Sequence, residues 1–177
     1  MNDKRALVII NLGTPDRPRK KEVRRYLTEF LNDRRVIDIP WLARKMLVNL
    51  IIIPFRVNKS TKLYQRLWTA EGSPLLIYLD NLAQKLQKKL QGQYEVFGAM
   101  RYGKPSLCDT LKHLKAGNFK EVTFFPLFPQ YASSTTGSIV EKLFREMKSQ
   151  EALPSIKMIN QYHDHPEFIN AFAQNIR

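Results

Sequence analysis

Cysteine is almost missing from this 177-residue sequence, which contains only Cys108. A single cysteine excludes an internal disulfide, and it excludes a metal or iron–sulfur site built from several thiolates of this chain. Histidine is scarce as well, at three residues. No GxGxxG or GxxxxGK[ST] pattern follows any predicted strand, so the sequence signals neither a dinucleotide site nor a P-loop. These absences point away from nucleotide binding.

Long apolar runs are missing too. The longest, Met46–Phe55, is broken by Asn49 and Pro54, and it has about half the length needed to span a bilayer. No signal-peptide pattern precedes the first predicted strand. We therefore expect a reducing, cytoplasmic location, with a peripheral membrane contact through the apolar segment Leu47–Phe55.

Acidic residues are outnumbered, since 29 Lys and Arg against 16 Asp and Glu give a formal net charge of +13. The densest basic run is Arg17–Arg25, at the start of a predicted helix, where the helix dipole does not favour cations. Such charge favours an anionic partner. One interpretation is therefore a basic module for a membrane surface or for nucleic acid. No recognised nucleic-acid-binding motif is present, so we expect no nucleic-acid partner.

Apolar segments alternate with helical patterns along the chain. Strands are predicted at about 6–11, 94–100, 122–127 and 155–159, bounded by Gly, Pro and Asn. Most segments between them have helical periodicity, whereas residues 41–57 are predicted as an apolar segment that precedes a short helix at about 61–68. The helix predicted at 137–150 is expected to bury five residues: Ile139, Val140, Leu143, Phe144 and Met147. This order predicts a single α/β domain over residues 1–177, a doubly wound, flavodoxin-like parallel sheet of about four strands with helices on both faces.

The residues that follow three of the strands suit a binding site. Because the carboxyl ends of parallel strands meet at one edge of a sheet, we expect them to share a cleft. Aromatic and aliphatic walls with a few arginines suit a flat apolar ligand that carries carboxylates, since guanidinium pairs with carboxylate in bidentate fashion. The candidates follow these strands or lie close to their turns: Asn11, Leu12, Arg56, Tyr64, Ser73, Arg101, Tyr102, Phe128 and Tyr131.

Each of these features also has an ordinary structural interpretation. Asn11 to Pro15 is a turn in its own right, and tyrosines often place a hydroxyl at the rim of a core. The run Ser133–Gly137 is suited to capping a helix, and it is equally suited to holding an anion at the helix N-terminus. The sequence leaves these alternatives open.

A metal site is not expected in this chain. His163 and His165 share a face of an extended segment, but a metal ion needs three or more placed ligands. No cysteine or carboxylate cluster joins the pair, and Asp164 followed by Pro166 is also typical of a capping loop before a helix. No Ser-His-Asp or Cys-His arrangement is evident.

Four stretches, in this order and spacing, resemble the ferrochelatase family. The resemblance covers essentially all 177 residues and corresponds to roughly the first half of a family member. The matching stretches are Val8-Ile9-Ile10-Asn11-Leu12-Gly13-Thr14-Pro15, Tyr64 through Gly72-Ser73-Pro74-Leu75, Ala99-Met100-Arg101-Tyr102-Gly103, and Phe128-Pro129-Gln130-Tyr131-Ala132-Ser133-Ser134-Thr135-Thr136-Gly137.

The resemblance implies a chelatase-like domain and the insertion of ferrous iron into a porphyrin to form haem. It matches Arg56, Tyr64 and Ser73 to porphyrin-contacting positions and Arg101 to an arginine at the pocket edge. Asn11, Tyr102 and Tyr131 are expected to contact the porphyrin because they follow the predicted strands. Leu12 falls on the porphyrin face, where leucine cannot ligate iron, and Phe128 stands where some members have tyrosine. Ser133 stands where some members have a cluster-ligating cysteine, so no iron–sulfur cluster or other cofactor is expected.

The family's catalytic histidine lies in a Ser-Ala-His-Ser segment, and its acidic partner, a glutamate, lies later still. The resemblance places both beyond Arg177, the last residue of this sequence, so it implies no catalytic residue here. We expect the chain to be the first of two similar domains, with the second, absent domain as its partner, and to be inactive alone. A related chelatase that inserts cobalt or nickel into another tetrapyrrole is the alternative within this class.

Overall fold

The structure, a computed structural model, describes residues 4–148 and 152–176. Two π-helical segments, Leu47–Ile52 and Ser133–Gly137, lie directly before α3 and α6. The regular elements are, in chain order, β1 (Arg5–Gly13), α1 (Lys20–Leu31), α2 (Trp41–Met46), α3 (Ile53–Leu67), α4 (Pro74–Lys89), β2 (Glu95–Tyr102), α5 (Leu107–Ala116), β3 (Glu121–Pro126), α6 (Ser138–Met147), β4 (Ser155–Met158) and α7 (Pro166–Ile176).

The four strands form one parallel sheet in the order β2-β1-β3-β4. β1 lies in its interior, where Ala6 pairs with Glu95 on one side and with Val122 on the other. The segment 6–10 is buried on both faces, as expected for a parallel strand covered by helices. The chain order reverses between β1 and β3, which makes the carboxyl end of these two strands a switch point.

Alternate residues of β1 face two different helical layers. Ala6, Val8 and Ile10 pack in a core with α5 and α6, and Leu7 and Ile9 pack in a second core with α4. This alternation is the period of two that any strand imposes. Helices therefore cover both faces of the sheet, and the predicted α/β class with about four parallel strands is confirmed.

A third apolar cluster, which we call the helical cap, lies at the carboxyl end of β2. It is built from α1, α3 and the π-helical segment before α3, with the buried side chain of Tyr102 among them. Val23 and Leu27 of α1 meet Val57 of α3 there, at the helical spacing of an amphipathic stripe. The cap places α1 and α3 over the edge of the sheet where ligands bind in this architecture.

Two local predictions need correction. Residues 41–67 are helical throughout, whereas the sequence predicted an apolar segment followed by a separate short helix at about 61–68. Phe144, expected inside, is 70% exposed. The buried stripe of α6 is Ile139, Leu143 and Met147, spaced by four residues, and Phe144 lies about 100° around the helix from its neighbour Leu143.

The structure does not test the prediction about the end of the chain, because it does not describe the last residue. The resemblance places the catalytic histidine and glutamate beyond Arg177, and Arg177 lies outside the described residues, which end at 176. The described residues therefore do not test where the catalytic pair lies, and that expectation stays a prediction.

Gly13 is a position where the fold requires glycine. Its φ is +134°, and a Cβ built there would overlap the Tyr102 carbonyl oxygen of the neighbouring strand. We expect Gly13→Ala to destabilise the chain by about 3 kcal/mol or more, because backbone strain and steric overlap combine. The free energy of unfolding in urea measures this.

The matched control is Gly92→Ala. Gly92 also has a positive φ, +80°, but its Cβ would meet open space, so only the strain of about 1–2 kcal/mol remains. Equal losses in the two variants would show that the close contact with Tyr102 does not matter.

Candidate functional site

The carboxyl ends of β1, β2 and β3 meet at one edge of the sheet. Gly13 pairs with Tyr102 across β1 and β2, and the Leu127 amide donates to the Ile10 carbonyl at 2.8 Å where β3 ends. The connection between α3 and α4 joins this edge through a 2.9 Å hydrogen bond between the hydroxyls of Thr14 and Ser73. The four stretches that carry the family resemblance therefore lie together.

The helical cap brings three of the predicted residues into one apolar cluster. Leu12 and Tyr64 are half-buried against it, and Tyr102 is fully buried within it. The rings of Tyr26 and Tyr64 meet edge to face with centroids 6.1 Å apart. Burial, together with the adjacent Tyr64, raises the pKa of Tyr26 above its ordinary value, so this hydroxyl stays neutral.

A buried carboxylate, Asp33, organises the polar side of the site. Its Oδ2 accepts hydrogen bonds from Ser138 Oγ at 2.6 Å, Tyr102 Oη at 2.8 Å and Arg101 Nη2 at 2.5 Å. Its Oδ1 accepts from the Arg35 backbone N–H at 2.7 Å. One side chain thus links the loop after α1, the end of β2 and the start of α6.

The hydrogen bonds around Asp33 outweigh the cost of its burial. Burial alone disfavours the charged carboxylate, but bonds from Ser138, the Arg35 backbone and Tyr102, with the charge of Arg101, hold the pKa of Asp33 below its ordinary value of 3.8. Burial raises the pKa of Tyr102. At neutral pH the network therefore contains an ionised Asp33, a protonated Tyr102 and a cationic Arg101.

The Arg101 guanidinium is largely occupied by protein groups. Nε donates to Ser138 Oγ at 2.7 Å, Nη2 pairs with Asp33, and Nη1 lies 4.0 Å from Glu29. The guanidinium also stacks over the Tyr102 ring at 4.3 Å. Its charge is therefore balanced within the fold, although it lines a cavity of about 730 Å³ between α1, α2 and α6.

Tyr131 lies in a different hollow, which we call the Arg35 cavity. This cavity, of about 400 Å³, is lined by Arg35, Tyr131, Gly137, Val140, Asn160 and Gln161. The loops after β3 and β4 contribute to it, so it opens at the carboxyl edge as well. Tyr131 is 53% exposed.

The remaining predicted residues are spread along this edge. Asn11 is half-buried, and its Oδ1 accepts from the Leu12 amide at 2.8 Å. Ser73 is buried and lines a third cavity, while Phe128 packs against the core under α5 and α6. Arg56 is exposed on α3. Because Ser73, Arg101 and Tyr131 line three different cavities, a single cleft shared by all nine residues stays a prediction.

Sequence reasoning missed Asp33, Arg35 and Ser138. Asp33 and Arg35 follow α1 in a charged run with no periodic pattern, which is typical of a solvated loop. Ser138 was included only as part of a helix. No sequence signal shows that residues 33, 101 and 138 meet, because their contacts span 37, 68 and 105 positions.

Two features are absent from the described residues. In the ranges 4–148 and 152–176, no three His, Cys, Asp or Glu side chains come together in a way that would hold a metal ion. No helix in the same ranges combines the length and the apolar composition that crossing a bilayer requires.

Comparison with known proteins agrees with the family resemblance of the sequence. A family model described as Ferrochelatase matches residues 4–177. Curated relatives named Ferrochelatase are 46% identical over 171 residues in Legionella pneumophila (strain Paris) and 42% identical over 172 residues in Coxiella burnetii (strain RSA 493). Both alignments cover 97% of this chain, with 51% of the first relative and 48% of the second. The chain thus spans about half the length of the curated relatives it matches.

Asp33→Asn tests the central role of the buried carboxylate. The side chains of Asp33 and Arg101 are both 7% exposed, and the substitution leaves the buried Arg101 with only the exposed Glu29, 4.0 Å away, as a counter-charge. We expect a loss of about 3–5 kcal/mol in the free energy of unfolding, measured by urea denaturation at pH 7.

Asp16→Asn is the matched control, because its partner Arg25 is 65% exposed and such pairs contribute at most about 1 kcal/mol. A pH series adds a second readout. The pKa of Asp33 is lowered by folding, so its contribution is present above pH 3.8 and is lost as the pH falls toward the folded-state pKa. In Asp33→Asn the free energy of unfolding should therefore fall less steeply than in the unmodified chain as the pH drops below 3.8. An unchanged pH dependence would contradict the assignment.

Proposed function

Since the chain belongs to the ferrochelatase family, we propose that it supplies one wall of a porphyrin site at which ferrous iron is inserted to form haem. The observation that carries this proposal is spatial. Four stretches that match the family in sequence come from distant parts of the chain, and the fold gathers them at the carboxyl edge of one parallel sheet. This is the edge where α/β sheets bind ligands.

The chemistry of this edge suits a flat, apolar, anionic ring. Leu12, Tyr64 and Phe128 supply apolar and aromatic surface, and exposed Tyr131 and Arg56 supply polar groups at the margin. Asn11, Ser73, Arg101 and Tyr102 support the wall from within. Ferrous iron enters this proposal as a substrate, and the proposal includes no resident cofactor.

Proton removal from the porphyrin needs a base on the opposite side of the ring. The family resemblance assigns that base to a Ser-Ala-His-Ser segment, which is not in this sequence. A rigid wall can bind and distort a macrocycle, but insertion also needs the two pyrrole protons to be taken up. This base is therefore proposed to lie outside these 177 residues, which span about half the length of the curated relatives.

The proposal predicts porphyrin binding without turnover by the 177-residue chain. A shift of the Soret band on titration with a dicarboxylate porphyrin measures binding, and product absorbance with Fe²⁺, Zn²⁺, Co²⁺ or Ni²⁺ measures insertion. We expect Tyr131→Ala to weaken binding roughly 3- to 10-fold, because an aromatic contact is lost.

Tyr78→Ala is the matched control, since Tyr78 is 72% exposed on α4, outside the site. Absence of any Soret shift with the unmodified chain would refute the binding proposal, and normal turnover would refute the assignment of the base to residues outside this chain.

A peripheral membrane contact is a second candidate function, favoured by one observation. The helical stretch 41–67 exposes a row of large apolar side chains: Trp41, Leu42, Met46, Leu50, Ile51 and Phe55, each 55% exposed or more. Exposed cations such as Arg56 and Lys59 flank the row. Apolar side chains rimmed by cations suit the surface of an anionic bilayer.

Vesicle co-sedimentation tests this candidate. Phe55 is 82% exposed, and we expect Phe55→Ser to lower partition into phosphatidylglycerol vesicles by about tenfold, because its ring no longer enters the bilayer. Phe144→Ser, at a site 70% exposed on α6, is the control and should change nothing. Equal effects in the two variants, or no partition at all, would exclude the contact.

A further inference from the structure

A carboxylated ligand at this edge needs a cation with N–H donors that protein groups do not already occupy. Arg101 is compensated by Asp33 and lies near Glu29, and Arg44 is buried with its guanidinium on the carbonyls of Asn32, Ile37 and Ile39. These two arginines hold the loop after α1. The cation that binds a ligand must be one with donors left over.

Arg35 meets this requirement. Its Nε donates to Glu141 Oε2 at 2.6 Å in an ion pair that turns the side chain toward α6. Its backbone N–H is held by Asp33 at 2.7 Å. No hydrogen bond from Nη1 or Nη2 to a group in the described ranges is found, and the side chain is 34% exposed. The backbone N–H and the Nε of Arg35 are thus held in place, while the N–H groups of Nη1 and Nη2 can donate to a ligand.

Gly137 brings Arg35 and Tyr131 to the same point of the cavity. A Cβ at Gly137 would lie 2.9 Å from the Tyr131 hydroxyl and 3.6 Å from Arg35 Nη1. A side chain at position 137 would crowd the Tyr131 hydroxyl, whereas its distance from Arg35 would be an ordinary van der Waals contact. Gly137 ends the π-helical segment, a distortion that is frequent at functional sites.

We propose that Arg35, assisted by the Tyr131 hydroxyl, binds a carboxylate of the ligand in the Arg35 cavity. A guanidinium with two free Nη groups and a phenol donor match the two oxygens of one carboxylate. Asn160 and Gln161 also line this cavity and add neutral polar groups. This inference rests on the proposed porphyrin function and names the residue that selects a carboxylated ring.

The test compares a dicarboxylate porphyrin with its dimethyl ester, titrated against the 177-residue chain in the same detergent and followed at the Soret band. The unmodified chain should bind the acid more tightly than the ester. Arg35→Gln should weaken binding of the acid by about 10- to 100-fold, the loss of a charge-assisted bond, and leave binding of the ester unchanged.

Arg34→Gln is the matched control, because Arg34 is the adjacent, exposed arginine and lines the larger cavity instead. It should keep the preference for the acid. Arg35→Lys provides a second variant should Arg35→Gln fold poorly, and its affinity for the acid should fall between those of the unmodified chain and Arg35→Gln.

The outcomes separate the inference from the function on which it rests. If the acid keeps its advantage in both Arg35 variants, Arg35 is not the carboxylate-binding residue, while the porphyrin function stands. If Arg34→Gln loses the preference instead, the carboxylate lies in the larger cavity and the inference is overturned. If the unmodified chain binds neither compound, both the function and the inference fail.

Discussion

The buried Asp33 carboxylate is the interaction on which the functional edge depends. It joins three segments that are distant in sequence, and each of its bonds is to a group at the carboxyl edge of the sheet. It also neutralises Arg101. A buried ion pair of this kind contributes little net stability but costs much when one partner is lost. The polar groups of the site are therefore arranged before any ligand arrives. Arg101 is paired with Asp33, whereas Arg35, paired with Glu141 through Nε, has no hydrogen bond from Nη1 or Nη2 to a group in the described ranges.

Most of the fold could be predicted from the sequence, because periodicity and turn residues are local signals. The run Ala6 to Ile10 is apolar without alternation, which is typical of a parallel strand covered on both faces, and the strand bounds differ from prediction by one or two residues. The errors have physical causes. The π-helical segment before α3 joins residues 41–67 into one helical stretch, where the sequence predicted an apolar segment and a separate short helix. Phe144 is exposed because neighbouring helical positions point in different directions.

The candidate site was less accessible to sequence reasoning. The strand-end residues were found because the topology of parallel sheets places them together, and the fold confirms that their segments share an edge. Which of them face a ligand depends on side-chain partners that no local pattern shows. Arg101 looks like a free guanidinium in the sequence and is a balanced one in the structure. Arg35 looks like an ordinary surface residue, and it gains its position only from Asp33 and Glu141.

The interior place of β1 has a consequence for the life of the chain in the cell. Both neighbours of this strand are synthesised much later, because Ala6 pairs with Glu95 of β2 and with Val122 of β3. Such distant parallel pairing slows folding. Until β2 and β3 have been synthesised, the aliphatic side chains of β1 remain uncovered and are prone to aggregate. Chaperones that shield nascent apolar segments are thus expected to matter more for the yield of this protein than for one whose first strand forms a local hairpin.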